Sequence, residues 1–371
     1  MGKRREGKDM NDKAGKVAVA MSGGVDSSVA AASLCEEGYE VVGVTFRMWV
    51  EGSGPAPPGP AGRCSLFDVE AAAGAARVLG IKHVVIDLRW RFFSEVVEPF
   101  AREYLRGRTP NPCVECNRRV KFPALVEAAA AEGADLVATG HYARVERDAG
   151  GAAFLMRAAV EEKDQSYALY GLGQEILGRC FFPNGGRSKR ELRKEALTRG
   201  LPAAEKPESQ EICFLRGGDY RDFIASRFPE SLSPGPILDT SGRVLGEHRG
   251  IAFYTVGQRR GLGVSTSHPL YVAALDPSRR AVVLGSREEV PGDRLKAESA
   301  HWMKGEPPGE SFEAEAMARY NTVPVPCRVK VAGNGFEAFF DQRVWALTPG
   351  QHAVLYRGEE ILGGGIIASA G

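Results

Sequence analysis

The sequence predicts an α/β protein, with a parallel sheet in its first half and an all-β region at its end. Three observations predict it. Short apolar runs alternate with helical stretches as far as about Pro202. A glycine- and serine-rich loop joins the first run to the first helix. Beyond Pro202 the helical periodicity fades, and short β-rich runs separated by turn residues replace it.

Lys16–Met21 (KVAVAM) reads as the first strand and Ser27–Glu37 as the first helix, which Gly38 ends. Glu40–Phe46 (EVVGVTF) is a second strand, and Glu51–Gly62 (EGSGPAPPGPAG) reads as a mobile Pro/Gly loop. Leu66–Leu79 is an Ala-rich helix, His83–Asp87 a strand, and Phe92–Leu105 a helix. Phe122–Glu132 is a helix and Asp135–Gly140 (DLVATG) a strand. In the second half, Arg279–Leu284, Cys327–Val331 and Phe336–Phe340 read as strands. Asn334-Gly335 signals a type I′ hairpin between the last two. From about Ala297 onward the chain reads as a barrel or sandwich.

Composition sets outer bounds. With 371 residues, 43% apolar and 26% charged, the chain can bury a core and divides into two or three domains. A net charge of +1 argues against a wholly basic nucleic-acid coat protein, while leaving room for a local basic face. The charged start, MGKRREGKDMNDK, does not read as a secretory signal, and no run is long enough for a membrane helix. The seven cysteines (35, 64, 113, 116, 180, 213 and 327) are odd in number and widely spread, which suits a reducing cytoplasm better than a disulfide framework.

Between the first strand and first helix lies Met21-Ser22-Gly23-Gly24-Val25-Asp26-Ser27-Ser28. Glycines let the backbone turn tightly, and the first amides of a helix point at an anion. Ser22, Ser27 and Ser28 add hydroxyls, so the loop reads as a phosphate cradle at the end of a parallel strand. The lysine of a Walker loop and the Gly-x-Gly-x-x-Gly of a dinucleotide fingerprint are both absent. The loop SGGVDSS resembles that of the N-type (PP-loop) ATP pyrophosphatases, which cleave ATP between its α and β phosphates.

A second segment, Thr109-Pro110-Asn111-Pro112-Cys113-Val114-Glu115-Cys116-Asn117, precedes Arg118, Arg119 and Lys121. Its prolines read as holding the chain extended, and its basic neighbours as favouring thiolate over thiol. Cys213 lies in Ser209-Gln210-Glu211-Ile212-Cys213-Phe214. Taken in order, SGGVDSS, TPNPCVECNRRVKF, ATGHYAR (138–144), KDQSYAL (163–169), ICF at Cys213, TVGQRRGLG (255–263) and TPGQHAVLY…LGGGII resemble the tRNA-specific 2-thiouridylase family from about Val17 to Ile367.

The resemblance implies a three-part fold. Residues 1–205 would form an adenine-nucleotide α hydrolase-like catalytic domain, 206–290 a small central domain, and 291–371 a C-terminal β-barrel that helps to hold tRNA. It implies ATP binding by Ala20, Met21, Ser22, Gly23, Gly24, Val25, Asp26 and Ser27, with Gly140 lining the site and Met48 or Arg47 meeting the adenine. Asn111, Pro112 and Cys113 would approach the target base; His141, Lys163, Asp164, Gln165, Arg319, Tyr320 and Gln351 would contact tRNA. Cys116 would be the nucleophile and Cys213 the persulfide carrier, loaded by an upstream cysteine desulfurase or sulfur-carrier protein. The implied reaction is 2-thiolation of the wobble uridine in tRNAs for Lys, Glu and Gln, with ATP and Mg²⁺ consumed as AMP and pyrophosphate. Oxide cannot leave the uracil ring, whereas an adenylated oxygen departs as AMP.

Arg102, Arg106, Arg108, Arg118, Arg119, Lys121, Arg259 and Arg260 offer phosphate contacts. One departure bears on mechanism: Cys113 stands where the family pattern has Asp. Cys113, Cys116 and Cys213 together would also suit a three-cysteine [4Fe–4S] cluster. The sequence leaves persulfide relay and cluster both open.

Overall fold

A computed structural model describes residues 15–50, 66–148, 150–202, 212–215 and 218–371. The charged N-terminal stretch, the Glu51–Gly62 loop, Cys64 and Ser209 to Glu211, just before the ICF motif, fall outside these residues.

The first half supplies β1 (Lys16–Ala20), β2 (Glu40–Arg47), β3 (Lys82–Asp87), β4 (Leu136–Thr139), a hairpin of β5 (Arg144–Arg147) and β6 (Ala153–Met156), and β7 (Cys180–Phe181). β1 to β4 and β7 form a parallel sheet in the order β3-β2-β1-β4-β7. Val17, Ala18 and Val19 of β1 are fully buried, as a central parallel strand covered on both faces requires. Because β2 and β4 flank β1, the strand order reverses there. The loop after β1 therefore opens at the switch point, where such sheets bind ligands. It leads into α1 (Val25–Glu36), which starts two residues earlier than the sequence suggests because Gly24, not a serine, caps it.

Two helices depart from regular α geometry. The stretch read as one helix over 92–105 comprises Arg89–Phe92, a π turn at Phe93–Val97 and Glu98–Leu105. A second π turn, Cys116–Lys121, lies between Pro112–Glu115 and Phe122–Ala131. Such turns commonly occur at functional sites.

Beyond Pro202 the chain forms two further sheets. β8 (Gly235–Asp239), β9 (Val244–His248), β10 (Tyr271–Asp276) and β11 (Ala281–Gly285) pair in the order β10-β11-β8-β9. Their core is shared with the first half: Ile237, Phe253 and Val272 join Phe92, Phe100 and Phe214 in one apolar cluster. β12 (Gly292–Trp302), β13 (Ser311–Met317), β14 (Val325–Ala332), β15 (Gly335–Val344), β16 (His352–Arg357) and β17 (Glu360–Ala370) form an antiparallel barrel, which β12–β17 pairing closes. Its interior holds Leu295, Val329, Phe336, Ala338, Leu355 and Ile367, all fully buried. The β5–β6 hairpin extends this sheet at Glu360↔Met156, which ties the first half to the barrel.

The β14–β15 turn corrects the sequence reading. Ala332 pairs with Gly335, so the central residues are Gly333 and Asn334, one position earlier than Asn334-Gly335. Gly333 has φ +57°, which suits the type II′ pattern with glycine first. Among the described residues no helix is long and apolar enough to cross a membrane.

Candidate active site

The phosphate loop is held open from below. Gly23 turns the chain at φ +72°. The Ser22 amide donates to Ser27 Oγ (3.1 Å), while the Ser27 and Ser28 hydroxyls donate to the Gly24 carbonyl at 3.2 and 2.9 Å. Ser28 is fully buried and thus braces the loop, whereas Ser22 faces solvent. The Asp26 carboxylate accepts from the Tyr142 hydroxyl (2.6 Å) and from Lys189 Nζ (2.7 and 2.8 Å). Beneath it, fully buried Asn184 donates to the carbonyls of Asp26 and Gly140, both at 2.9 Å. Gly140 must be glycine: a Cβ there would sit 2.6 Å from the Asp26 carbonyl carbon and the Ser27 nitrogen. Ala20 and Met21 close the β1 end, and Met21 packs against Gly43 on β2.

At the end of β2, Met48 is half-buried against the cluster that contains Trp49. Arg47 Nε is buried without a hydrogen-bond partner among the described residues. Both side chains thus stand at the strand end where adenine is expected.

The cysteine segment differs from its sequence reading. Pro112 does not prolong an extended loop but opens a helix at its first position, where a missing N–H costs nothing. Asn111 caps it, with Oδ1 accepting from the amides of Cys113 (3.1 Å) and Val114 (3.4 Å). Cys116 begins the π turn that ends at Lys121, and the next residue, Asn117, donates to the Ala168 carbonyl at 2.9 Å. Cys213 is held by its neighbour Phe214, whose ring makes edge contacts with Phe92, Phe100 and Phe223.

Cys113, Cys116 and Cys213 are free thiols near enough to perturb one another electrostatically. Cys113 and Cys213 are solvent-accessible, yet protein surrounds them closely enough to penalise charge. Burial pushes the Cys116 thiol up to about 11, and Lys121 only partly opposes it. Burial, then repulsion from Cys116 and Cys113, pushes Cys213 up to about 12. Burial therefore opposes the thiolate activation expected from basic neighbours, and Lys121 offsets it only in part. Among the described residues no group of three or more His, Cys, Asp or Glu side chains is placed to hold a metal ion.

The residues expected to meet tRNA divide into two sets. Tyr320 is 38% exposed, stacks obliquely 5.6 Å from Tyr167 and lies near Cys113. His141 stands beside Phe122 at 5.8 Å, bonded through Nδ1 to Thr139 Oγ1 (2.7 Å), and burial holds it neutral. Arg319 reaches Thr348 Oγ1 at 3.4 Å, and Lys163 closes a short turn after Val160. Asp164 and Gln165 serve the protein's own backbone. Asp164 accepts from the amides of Ala158 and Ser166 and from the Ser166 hydroxyl, and Gln165 Oε1 accepts from the Tyr142 amide. Gln351 is buried and donates to the Thr109 carbonyl at 2.8 Å.

The candidate basic residues divide similarly. Arg102, Arg106, Arg108 and Arg119 are ion-paired with Glu98, Glu103, Glu103 and Glu115, and Arg118 packs beneath Gly171. Arg259 and Arg260 are exposed. The sequence reading missed Tyr142, Asn184 and Lys189. Tyr142 stands inside ATGHYAR without a role read for it, no local pattern marks Asn184 or Lys189, and only the fold brings all three to the phosphate loop.

Residues 15–217 match the model of the tRNA methyl transferase HUP domain, 221–286 the tRNA methyl transferase PRC-barrel domain, and 292–367 the aminomethyltransferase β-barrel domain. A tRNA-specific 2-thiouridylase from Heliobacterium modesticaldum is 47% identical over 95% of this chain and 92% of its own length. One from Moorella thermoacetica is 49% identical over 95% of this chain and 99% of its own. One from Chloroflexus aurantiacus is 48% identical over 95% and 98%.

Proposed function

The chain belongs to the family of tRNA-specific 2-thiouridylases, and from that premise we propose that it thiolates C2 of the wobble uridine in tRNAs for Lys, Glu and Gln. The observation that carries this reading is the joint presence of a braced PP-loop at the sheet's switch point and two family cysteines that influence each other across the fold. The PP-loop binds the phosphates of ATP, and the uracil C2 oxygen attacks the α-phosphorus as pyrophosphate leaves. Positioning and charge compensation carry such a step. Mg²⁺ enters with ATP and offsets the charge of the departing pyrophosphate. The one carboxylate of the loop, Asp26, is already held by Lys189 and Tyr142, so the phosphates themselves would be the main ligands of the ion.

The second stage moves sulfur. An upstream cysteine desulfurase or sulfur carrier loads Cys213 as a persulfide. Its terminal sulfur attacks C2, and AMP departs with the former oxygen. The Cys116 thiolate then attacks the Cys213 sulfur, which frees the 2-thiouridine and closes a Cys116–Cys213 disulfide. A thiol reductant supplying two electrons restores both cysteines. Among the described residues no group of three or more His, Cys, Asp or Glu side chains is placed to hold a metal ion, and this reading uses the two cysteines without a cluster.

The reading is tested with tRNA, MgATP and a persulfide donor. AMP and pyrophosphate should form, and mass spectrometry of digested tRNA should show 2-thiouridine. Cys116→Ser and Cys213→Ser should each lose the thionucleoside while still binding ATP. Formation of ADP and phosphate, or sulfur transfer by Cys213→Ser, would overturn it.

A further inference from the structure

The junction between the central sheet and the barrel carries solvent-facing arginines around one exposed tryptophan. Trp345 follows β15 directly and is 39% exposed. The Arg287 guanidinium stands over its ring at 5.5 Å, and the Tyr271 ring meets it edge-on at 5.3 Å. Gly257 lets the central part come this close: its φ is +85°, and a Cβ there would stand 2.8 Å from Ala346 Cβ and 3.3 Å from Trp345 Nε1. Arg343 ties the corner together by donating to the carbonyls of Glu288 (3.0 Å) and Pro291. Arg259 and Arg260, just beyond Gly257, are exposed, as is Arg287. Among the described residues no carboxylate pairs with Arg259, Arg260, Arg287 or Arg343. Arg102, Arg106, Arg108 and Arg119 of the sheet domain each hold one.

Two chain paths place this corner beside the cysteine segment. Thr255, just before Gly257, meets Thr109 Oγ1 through its own hydroxyl at 3.3 Å. Pro349, shortly after Trp345, accepts from the Thr109 amide at 2.8 Å. A chain spans about 3.6 Å per residue at most, so Arg259 and Trp345 each lie within about 15 Å of a residue that touches Thr109.

We infer that Trp345 and Arg287, flanked by Arg259 and Arg260, form an RNA-binding surface that takes the tRNA just beyond the reacting base. Guanidinium groups without carboxylate partners keep their donors for phosphates. An exposed indole backed by an arginine is a platform on which a base or ribose stacks. The apolar residues of this junction, Val256, Val290 and Ala346, are buried in a small core of their own, which leaves the arginines and the indole to face outward. Charge along the sequence points to Arg259 and Arg260 alone; the fold adds Arg287 and Trp345 to them. This inference rests on the thiolation reading for the identity of its ligand.

The test uses the full chain and an unmodified tRNA, without ATP or a sulfur donor. Kd is measured from about 50 to 250 mM KCl for the wild type, Arg287→Ala, the double variant Arg259→Ala with Arg260→Ala, Trp345→Ala and Trp345→Phe. Each arginine lost should lower the steepness of log Kd against log salt by about 0.7 to 1. Trp345→Ala should weaken binding by about tenfold, and Trp345→Phe, which keeps a ring, should restore most of it. ATP affinity should stay as in the wild type throughout. In thiolation assays KM for tRNA should rise while kcat stays within about twofold. Wild-type affinity and salt dependence in every variant would overturn the proposal. Unchanged tRNA binding joined to slower loading of Cys213 by a cysteine desulfurase would also overturn it, and would make this a protein-docking surface. A wild type that binds tRNA yet makes no thiouridine would refute the thiolation reading, while the binding series still judges the surface.

Discussion

Acidification should loosen the junction between barrel and catalytic sheet, and His352 lets the size of that effect be worked out. The ring is 2% exposed, and its Nδ1 lies 2.8 Å from the Tyr170 hydroxyl. Its carbonyl accepts from the Tyr167 hydroxyl at 2.9 Å, so one residue joins β16 to the segment before β7. Burial lowers the imidazole to about 4; Glu115 opposes the shift and Arg118 adds to it. The folded state therefore keeps the ring neutral down to about pH 4, whereas the unfolded chain protonates it near the ordinary 6.5. Between those values the unfolded chain binds more protons, so stability falls as pH drops through that window and is fully present above it. The gap corresponds to about 3 kcal/mol in all, of which about 2 kcal/mol is lost between pH 7 and pH 5. Protonation would also place a cation in a buried junction. His352→Asn keeps an acceptor but cannot titrate. Urea unfolding of both proteins at pH 7 and pH 5 checks this. His141, also held neutral by burial, is present in both and cancels in the comparison. The wild type should lose about 2 kcal/mol more than the variant on acidification. Equal losses would refute the reasoning.

Two further outcomes follow from the site. Gly140→Ala places a methyl 2.6 Å from the Asp26 and Ser27 backbone, so calorimetric titration should show ATP affinity reduced by about tenfold or more, with barrel stability unchanged; an unaltered Kd would contradict the packing. Peptide-resolved alkylation of Cys116 in the free protein should keep accelerating with pH until about 11, because only the thiolate reacts; a plateau at or below the ordinary 9.0 would show that Lys121 outweighs burial.

What was legible in the sequence follows from how local its cause is. The parallel sheet showed because short apolar runs such as Lys16–Ala20 and Glu40–Arg47 alternate with helical stretches. The phosphate loop showed because tight turning needs Gly23, and helix amides need no distant partner to attract anions. Its supports did not show: Tyr142, Asn184 and Lys189 lie 116, 158 and 163 residues from Asp26 along the chain. Pro112 was misread because a proline is compatible with both an extended segment and a helix start. The Asn111 cap decides between them, and the pair Asn-Pro already carried that signal. The charge state of Cys116 could not be read either. Its basic neighbours are visible in the sequence, but the burial that outweighs them is a property of the packed chain.

That outcome bears on how the site works. Cys116 belongs to a helix of the sheet domain, Cys213 is anchored through Phe214 in the core shared with the central part, and Tyr320 of the barrel lies near Cys113. Three bodies thus build a pocket in which no single thiol is activated while it stands free. Two thiolates side by side would repel, and in the free protein both are held as thiols by the cost of charging them there. A resting site of this kind resists oxidation and alkylation, since both require thiolate. Under the relay mechanism, sulfur loading changes the balance. A persulfide on Cys213 carries a nucleophilic terminal sulfur, and once that sulfur is bonded to C2 the Cys213 sulfur becomes electrophilic, so a Cys116 thiolate gains a partner to attack in place of a neighbour that repels it. The placement of the two cysteines is held by the Phe214 ring contacts at one end and by the Thr109–Gln351 hydrogen bond at the other.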